Sequence, residues 1–348
     1  MSFKRFDTED VVVSAESIST PVWTGNKTTL TGFYTSSTQT GGSSGDYYYD
    51  IYQTGSSMDE ARVQFSLAYG HKKGSGSLYY NPNVPGKTPS STVYGQYRSL
   101  ILGDEDSDFV FGGVGSNHFY AVSIERARFK EKLLPGTLTL TLEHSASNGR
   151  IYSRTLTDNS QVASTVTFTD AGRVYELVSG SLGVVNTSLN NNGYTVSNGS
   201  YGKLLPDIGV ILINANALNS SPVSGGLRLE ANENPNNIIF SGIKSNLQQG
   251  YDLFRRGGSF RIQSEETVSS NFVFVRARNG EFNYSTNPSL ITGSGELRQS
   301  VMINSPQSYI TSVGLFNDNN DLLAVAKLSR PLLKDFTKEA LVRVKLDY

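Results

Sequence analysis

Apolar and polar residues alternate with a period of two over most of the chain after residue 108. Residues 137–142 alternate strictly between Thr and Leu, and residues 272–278 carry Phe or Arg on one face and Val or Ala on the other. Successive side chains of a strand point to opposite faces of a sheet, so this spacing predicts half-buried β-strands. Residues 209–213 are apolar at every position after the first, which predicts a central strand covered on both faces.

Further strands follow from the same pattern. Residues 47–52 place aromatic side chains on both faces of a strand, and residues 162–168 alternate in their second half. At the C-terminal end, residues 309–316, 322–328 and 341–346 are expected to form a meander whose first turn is 317–321. In the last of these strands Leu341, Arg343 and Lys345 alternate with apolar residues, which predicts one face on a core and one facing a polar partner.

Three segments predict helices. Residues 57–60 have the spacing of a capping box and Gly70 is a possible stop, so a helix is predicted over 57–70. A short helix is predicted over 93–102, and apolar residues at four-residue spacing predict another over 236–250. The predicted fold class is therefore mostly β, with β-sandwich-like modules and a few short helices.

The predicted organisation has three parts. Residues 1–19 form an N-terminal arm with few apolar anchors, which we expect to become ordered against a neighbouring protein. Residues 20–230 form a β-rich module with helical insertions, and residues 231–348 form a C-terminal β-rich module. Without a Pro- or Gly-rich linker, the boundary between the two modules is set only approximately.

Composition narrows the possible functions. The 348 residues carry 30 basic and 31 acidic side chains, whereas nucleic-acid binders need a basic excess to displace counterions from phosphate. The chain has no Cys, which excludes disulfides, thiolate metal sites and Cys nucleophiles. A signal peptide needs an apolar run of about 7 to 15 residues, and the run at 11–13 is too short. We therefore expect no nucleic-acid or membrane partner and folding in a cytoplasm.

Motifs for catalysis or cofactor binding are incomplete. Gly86-Lys87-Thr88 resembles the end of a phosphate-binding loop, but Asn81 stands where that motif needs Gly. The glycines of 112–115 are too few for a dinucleotide fingerprint and are expected in a flexible loop. The acidic segments 104–108 and 318–321 have the composition of calcium loops without the required Gly and Glu spacing, so solvated turns are favoured over cation sites. The three histidines, His71, His118 and His144, are not spaced as metal ligands.

The many tyrosines and carboxylates leave a glycan-binding or glycan-cleaving role as an alternative. A β-rich chain with 19 Tyr can expose aromatic faces that bind sugars, and two carboxylates can form a glycosidase pair. Tyr also fills half-buried sheet positions, which is the favoured interpretation. No catalytic, cofactor-binding or metal-binding residue is predicted, and no cofactor.

The local basic excess of the chain lies between residues 255 and 278. Arg is favoured at protein interfaces because its planar guanidinium binds carboxylates and backbone carbonyls. A contact with a partner protein explains this excess better than nucleic acid does. The predicted interface residues are Arg255, Arg256, Arg276 and Arg278, with Arg261 nearby in the sequence.

Four segments resemble a family of virion structural proteins from large contractile-tailed bacteriophages, including cyanophages. They are EDVVVSAE (9–16), KLLPGTL (132–138), FVRARNGEFNYSTNP (274–288) and LAVAKLSRP (323–331). These are strand and turn motifs rather than catalytic signatures. The resemblance implies a place in the tail baseplate or its fibre attachments and supplies no catalytic residues.

The expected function is thus that of a non-enzymatic structural subunit of a virion tail, assembled in the host cytoplasm. Its partners would be other virion structural proteins, with several copies in a symmetric assembly. The alternative is a receptor-facing glycan-binding or depolymerase module. A central site with Tyr and two opposed carboxylates would favour the alternative, whereas contact surfaces for other chains would favour the structural subunit.

Overall fold

A computed structural model of the chain describes residues 4–23, 32–35, 48–52, 59, 62–74, 83–84, 88–145, 150–186, 200–227, 260–285 and 287–347. The described residues are mostly in strands, with three short α-helices, which confirms the predicted mostly β fold class. The chain divides into two compact units. Unit 1 consists of Met1–Ser17 and Thr267–Tyr348, and unit 2 of Ile18–Glu266. The module boundary predicted at residue 231 and the helix predicted over 236–250 lie outside the described residues.

Unit 2 contains one long antiparallel sheet. The strands of this unit are β2 (Gly32–Thr35), β3 (Tyr48–Tyr52), β4 (Val63–His71), β5 (Phe109–Phe111), β6 (Val114–Ser116), β7 (His118–Ile124), β8 (Lys132–Ser145), β9 (Ile151–Asp158), β10 (Thr167–Thr169), β11 (Gly172–Ser181), β12 (Val184–Val185), β13 (Gly202–Leu205), β14 (Val210–Asn214) and the beginning of β15 (Phe260–Ala277). The order of the sheet is β15-β8-β9-β11-β13-β14-β7-β4-β3-β2, and the short strands β10 and β12 pair with β11. Strands β5 and β6 form a separate hairpin.

Strand β14 lies between β13 and β7 and is buried on both faces, as predicted for residues 209–213. Val210 and Leu212 belong to one apolar cluster, and Ile211 and Ile213 belong to another on the opposite face. Because a strand with no polar face needs two apolar layers, the sheet has a core on each side.

Helix α1 (Pro89–Leu102) contributes to one of these cores and confirms the helix predicted over 93–102. It begins earlier than predicted because Thr88 serves as N-cap and Pro89 occupies the first helical position, where a missing N–H costs nothing. Tyr94 on this helix packs against Phe109 and Phe119, and its hydroxyl donates to the Ser116 carbonyl at 3.0 Å. A second helix, α2 (Ala215–Asn219), follows β14 directly.

The helix predicted over 57–70 is wrong where the structure describes it. Val63–His71 forms strand β4, which pairs with β3 and β7. Phe65, Leu67 and Tyr69 are buried on one face of this strand. That period-two spacing is stronger than the capping signal, because burying three large side chains against neighbouring strands outweighs one local cap.

Two further local predictions need correction. The strand predicted over 162–168 is limited to its end, β10, because the N–H groups of Val162 and Ala163 both donate to the Asn159 carbonyl and close a turn. The glycines at 112–113 do not form a flexible loop. Both have positive φ and make the two-residue turn of the β5–β6 hairpin, in which Phe111 pairs with Val114.

Unit 1 has two β-layers around a small core. Strand β15 (Phe260–Ala277), within its unit 1 part, pairs with β18 (Ala340–Asp347), and β16 (Gln307–Phe316) pairs with β17 (Leu322–Asp335). Val273, Val344 and Leu315 are the buried centre of this core. The unit also contains β1 (Val11–Pro21) up to Ser17, a partner of β15, and the short helix α3 (Val301–Asn304).

The predicted C-terminal meander is only partly correct. The turn at 317–321 joins β16 and β17, and the Asn317 side chain stabilises it by accepting the N–H groups of Asn319 and Asp321. The third strand, however, pairs with β15 and not with β17. Strand order between distant segments depends on tertiary contacts, which a local alternation pattern does not contain.

We predict that Val344→Asp unfolds unit 1. Val344 is 6% exposed, so Asp would place an unpaired carboxylate in an apolar core, at a cost of about 3–5 kcal/mol. Leu341→Asp, at a position on the opposite face that is 59% exposed, should change the free energy of unfolding by less than about 1 kcal/mol. Denaturant unfolding should be followed by circular dichroism, because the single Trp lies in unit 2. Equal stability of the two variants would contradict the burial of Val344.

Candidate partner-binding face

A mixed aromatic and cationic surface begins on strand β15. Val273 and Ala277 are buried on the side of β15 that faces the core of unit 1. The residues that alternate with them, Phe272, Phe274 and Arg276, therefore face away from the core. The two phenylalanines are half-buried and the arginine is exposed.

Strand β18 completes this surface, because directly opposed residues of an antiparallel pair project to the same side of the sheet. Each of the three β15 residues is opposite one exposed residue of β18. Three cations, two aromatic rings and one aliphatic side chain thus lie next to one another. We call this set the outer face, and its members are Phe272, Phe274, Arg276, Leu341, Arg343 and Lys345.

The cations of the outer face differ in their surroundings. Lys345 forms ion pairs with Glu16 and Asp347, each at 3.2 Å, and hydrogen bonds to these two carboxylates raise the pKa of Lys345. The Arg343 guanidinium carbon lies 5.2 Å from the ring centroid of Phe272, a cation–π distance. Within the described residues, neither Arg276 nor Arg343 forms an ion pair with a carboxylate. The outer face therefore keeps a positive charge that its own neighbours do not neutralise.

Arg278 lies just beyond β15, at the beginning of a loop. Its side chain is exposed, while its backbone N–H donates to Glu281 at 2.8 Å. This hydrogen bond is the largest of the interactions that lower the pKa of Glu281, and Lys4 forms an ion pair with the same carboxylate at 3.3 Å. Glu281 is thus bound by Lys4 and the backbone, and the positive charge of Arg278 also lowers its pKa, although the Arg278 guanidinium forms no direct ion pair with it.

The predicted interface residues are only partly brought together. Arg276 and Arg278 lie two residues apart and both are exposed, whereas Arg255 and Arg256 lie outside the described residues. Arg261 lies on the part of β15 that belongs to unit 2. The alternation of Arg343 and Lys345 predicts a face toward a polar partner, but it does not show that this face adjoins Arg276. The missing information was the pairing of β18 with β15.

The acidic segments lie in turns. The Asp104 carboxylate accepts the N–H groups of Asp106 and Ser107. A hydrogen bond from the Ser107 side chain, followed by these backbone bonds, lowers the pKa of Asp104. Asp108 forms an ion pair with Lys72 at 2.5 Å. Throughout the described ranges, no cluster of three or more His, Asp or Glu side chains is placed to hold a metal ion. Gly86 and Lys87 lie outside those ranges. Every helix that the structure describes is too short or too polar to cross a lipid bilayer.

Two histidines far apart in the sequence meet in unit 2. His71 on β4 and His118 on β7 are directly opposed, with ring centroids 5.7 Å apart, next to the buried pair Tyr69 and Tyr120. Burial, followed by repulsion from His118 and Lys73, lowers the pKa of His71 from about 6.5 to about 4. Burial also lowers the pKa of His118. The His71 Nδ1 atom accepts the N–H of Lys73 at 3.1 Å, so the neutral ring is the form that fits this site.

We predict that this pair makes unit 2 less stable in mild acid. Between about pH 6.5 and 4 the unfolded chain binds a proton at His71 that the folded chain does not, so stability falls as the pH falls. The free energy of unfolding should fall by less than about 1.4 kcal/mol per pH unit, because His71 is partly exposed. His71→Asn retains an acceptor for the Lys73 N–H but cannot titrate, so its denaturation midpoint, measured by Trp fluorescence, should change less over this pH range. Parallel pH profiles of the two proteins would contradict this assignment.

Comparisons with known proteins do not add to this geometry. A scan against protein-family models, a search of curated proteins and a search of solved structures each found no match to the chain.

Proposed function

We propose that the chain is a non-enzymatic structural subunit of a contractile-tailed bacteriophage virion, located in the tail baseplate or its fibre attachments. In this proposal it links other virion proteins, is present in several copies in a symmetric assembly, and needs no cofactor. The resemblance of four sequence segments to such virion proteins supports this role, and the surface chemistry of unit 1 is compatible with it.

The observation that carries the proposal is the outer face. Aromatic residues and Arg are enriched in the buried centres of protein interfaces, and most other charged residues are depleted there. The outer face combines both types on the paired strands β15 and β18, and neither Arg276 nor Arg343 forms an ion pair with a carboxylate among the described residues. A partner that presents carboxylates would supply them.

The burial of four tyrosines removes these four as candidates for a glycan-binding surface. Among the largest fully buried side chains are four tyrosines, and they pack in the cores of unit 2 rather than on a surface that a sugar can reach. Buried Tyr side chains of this kind stabilise a β-sheet by packing against its other side chains. The four are Tyr69, Tyr94, Tyr120 and Tyr201.

We predict that Arg276→Ala combined with Arg278→Ala weakens incorporation into virions without unfolding the subunit. Both side chains are exposed, so the free energy of unfolding should stay within about 1 kcal/mol of the wild-type value. Loss of two interface arginines should lower incorporation by about tenfold or more, because each such contact is worth about 1–2 kcal/mol. Incorporation is measured by quantitative mass spectrometry of purified particles.

The matched control removes two exposed cations elsewhere in unit 1, Lys327→Ala with Arg330→Ala, and should be incorporated normally. Normal incorporation of the Arg276 and Arg278 variant would show that these residues are not the contact surface. Absence of the wild-type chain from purified particles would overturn the proposed function itself.

A further inference from the structure

Lys334 is a fully buried cation of unit 1, and it binds a loop at the surface of that unit. Lys334 on β17 is 0% exposed, although lysine is rarely buried completely. Its Nζ atom donates to the Asn283 side-chain oxygen at 2.7 Å, to the Asn279 carbonyl at 2.9 Å and to the Asp335 carbonyl at 3.0 Å. All three donor positions of the ammonium group are therefore used, and two of them lead to the same loop.

Residues 279–284, which we call the 279–284 loop, are held by further hydrogen bonds. The Asn283 side-chain N–H donates to the Asn279 carbonyl at 2.7 Å, which closes the loop on itself. The Ser308 hydroxyl, from β16, donates to the Phe282 carbonyl. Polar contacts from two strands and from within the loop thus fix its backbone, which has no regular secondary structure to do so.

This fixation directs two aromatic side chains outward. Asn283 is buried and faces Lys334, whereas its neighbours Phe282 and Tyr284 are 38% and 65% exposed. Phe282 has φ +55°, a left-handed conformation that is unfavourable for a residue with a Cβ atom. Hydrogen bonds around Phe282 hold it in that conformation. A strained, rigid loop that exposes large aromatic side chains is typical of a binding element prepared before the partner arrives.

We propose that the 279–284 loop is a preorganised docking element that inserts Phe282 and Tyr284 between side chains of an acidic segment of a neighbouring virion protein. The loop continues directly from Arg276 and Arg278, so the exposed aromatic anchors and the two exposed guanidinium groups belong to one continuous segment of nine residues, 276–284. This inference rests on the proposed function and adds to it the chemistry of the partner.

Charge complementarity identifies the partner as acidic. Glu281, the acidic side chain of the loop, is bound by Lys4 and by the Arg278 N–H, whereas Arg276 has no carboxylate partner in the described part of the chain. An incoming carboxylate therefore finds cations whose charge is not neutralised. A planar guanidinium binds a carboxylate with two parallel hydrogen bonds, and neighbouring aromatic rings exclude water from that contact.

The test places a photo-crosslinking residue, p-benzoylphenylalanine, at position 284 or at position 309 of the full chain in assembled particles. Tyr284 and Tyr309 both lie in unit 1 and are 65% and 63% exposed, so position 309 is the matched control. After irradiation, mass spectrometry should find crosslinks from position 284 to a segment rich in Asp and Glu, at least about fivefold above position 309.

Three results would overturn the proposal. A subunit present in particles without crosslinks from position 284 removes the docking role and leaves the proposed function intact. Crosslinks to a basic segment, to nucleic acid or to glycan contradict the acidic partner. Absence of the chain from particles overturns both the docking role and the proposed function.

A second pair of variants tests the role of Lys334 as the positioning residue. Asn283→Ala removes an acceptor of the Lys334 ammonium and also the donor to the Asn279 carbonyl, so the loop should loosen and the crosslinking yield from position 284 should fall by about threefold or more. Asn283→Asp lacks the same donor but keeps an acceptor for Lys334, so a higher yield from Asn283→Asp than from Asn283→Ala isolates the Lys334 contact. Equal crosslinking yields from the two variants would overturn this role of Lys334. If neither variant enters particles, the comparison of crosslinks from positions 284 and 309 decides whether the 279–284 loop is a docking element.

Discussion

The antiparallel register between β15 and β18 determines both the core and the surface of unit 1. Because paired residues share a face, one register places Val273 opposite Val344 in the core and Phe274 opposite Arg343 on the outside. A shift of one residue would exchange the two faces and bury Arg343 and Lys345. The apolar core therefore enforces the register, and the register assembles the aromatic and cationic surface from segments about 70 residues apart in the sequence.

In unit 2, burial of apolar side chains also determines how the strands are arranged. Its sheet is covered on both sides around β14, and aromatic side chains fill the cores. Phe65, Trp23 and Phe260 form one such contact, with ring centroids between 4.7 and 6.2 Å apart. Phe260 and Phe65 lie on strands that are far apart in the order of the sheet, so the sheet must curve for their rings to meet. This extensive burial gives the chain a rigid scaffold without disulfides.

Two buried charged side chains, Asp158 and Lys334, bind the backbone where it departs from regular strand geometry. Asp158 is completely buried and accepts the Gly136 N–H with both carboxylate oxygens, at 2.8 and 3.0 Å, where β8 is irregular. Lys334 has the corresponding role for the 279–284 loop. Such groups cost desolvation energy and are tolerable only when their hydrogen bonds are satisfied. In this chain both ions bind neutral backbone or amide groups, so each stabilises one specific loop geometry rather than an ion pair.

Local sequence patterns were sufficient to predict the mostly β fold, the strand at 209–213, the helix ending at Leu102 and the exposure of Arg276 and Arg278. These properties depend on local alternation, on capping and on the hydrophobicity of neighbouring residues, and each of these can be recognised within a short segment of the sequence. Four features could be seen only in the folded chain: β4 is a strand, β18 pairs with β15, His71 is opposite His118, and Lys334 is buried and bound to Asn283. Each of these depends on a partner tens of residues or more away in the chain, and contacts over such separations follow from packing of the whole domain rather than from any local pattern.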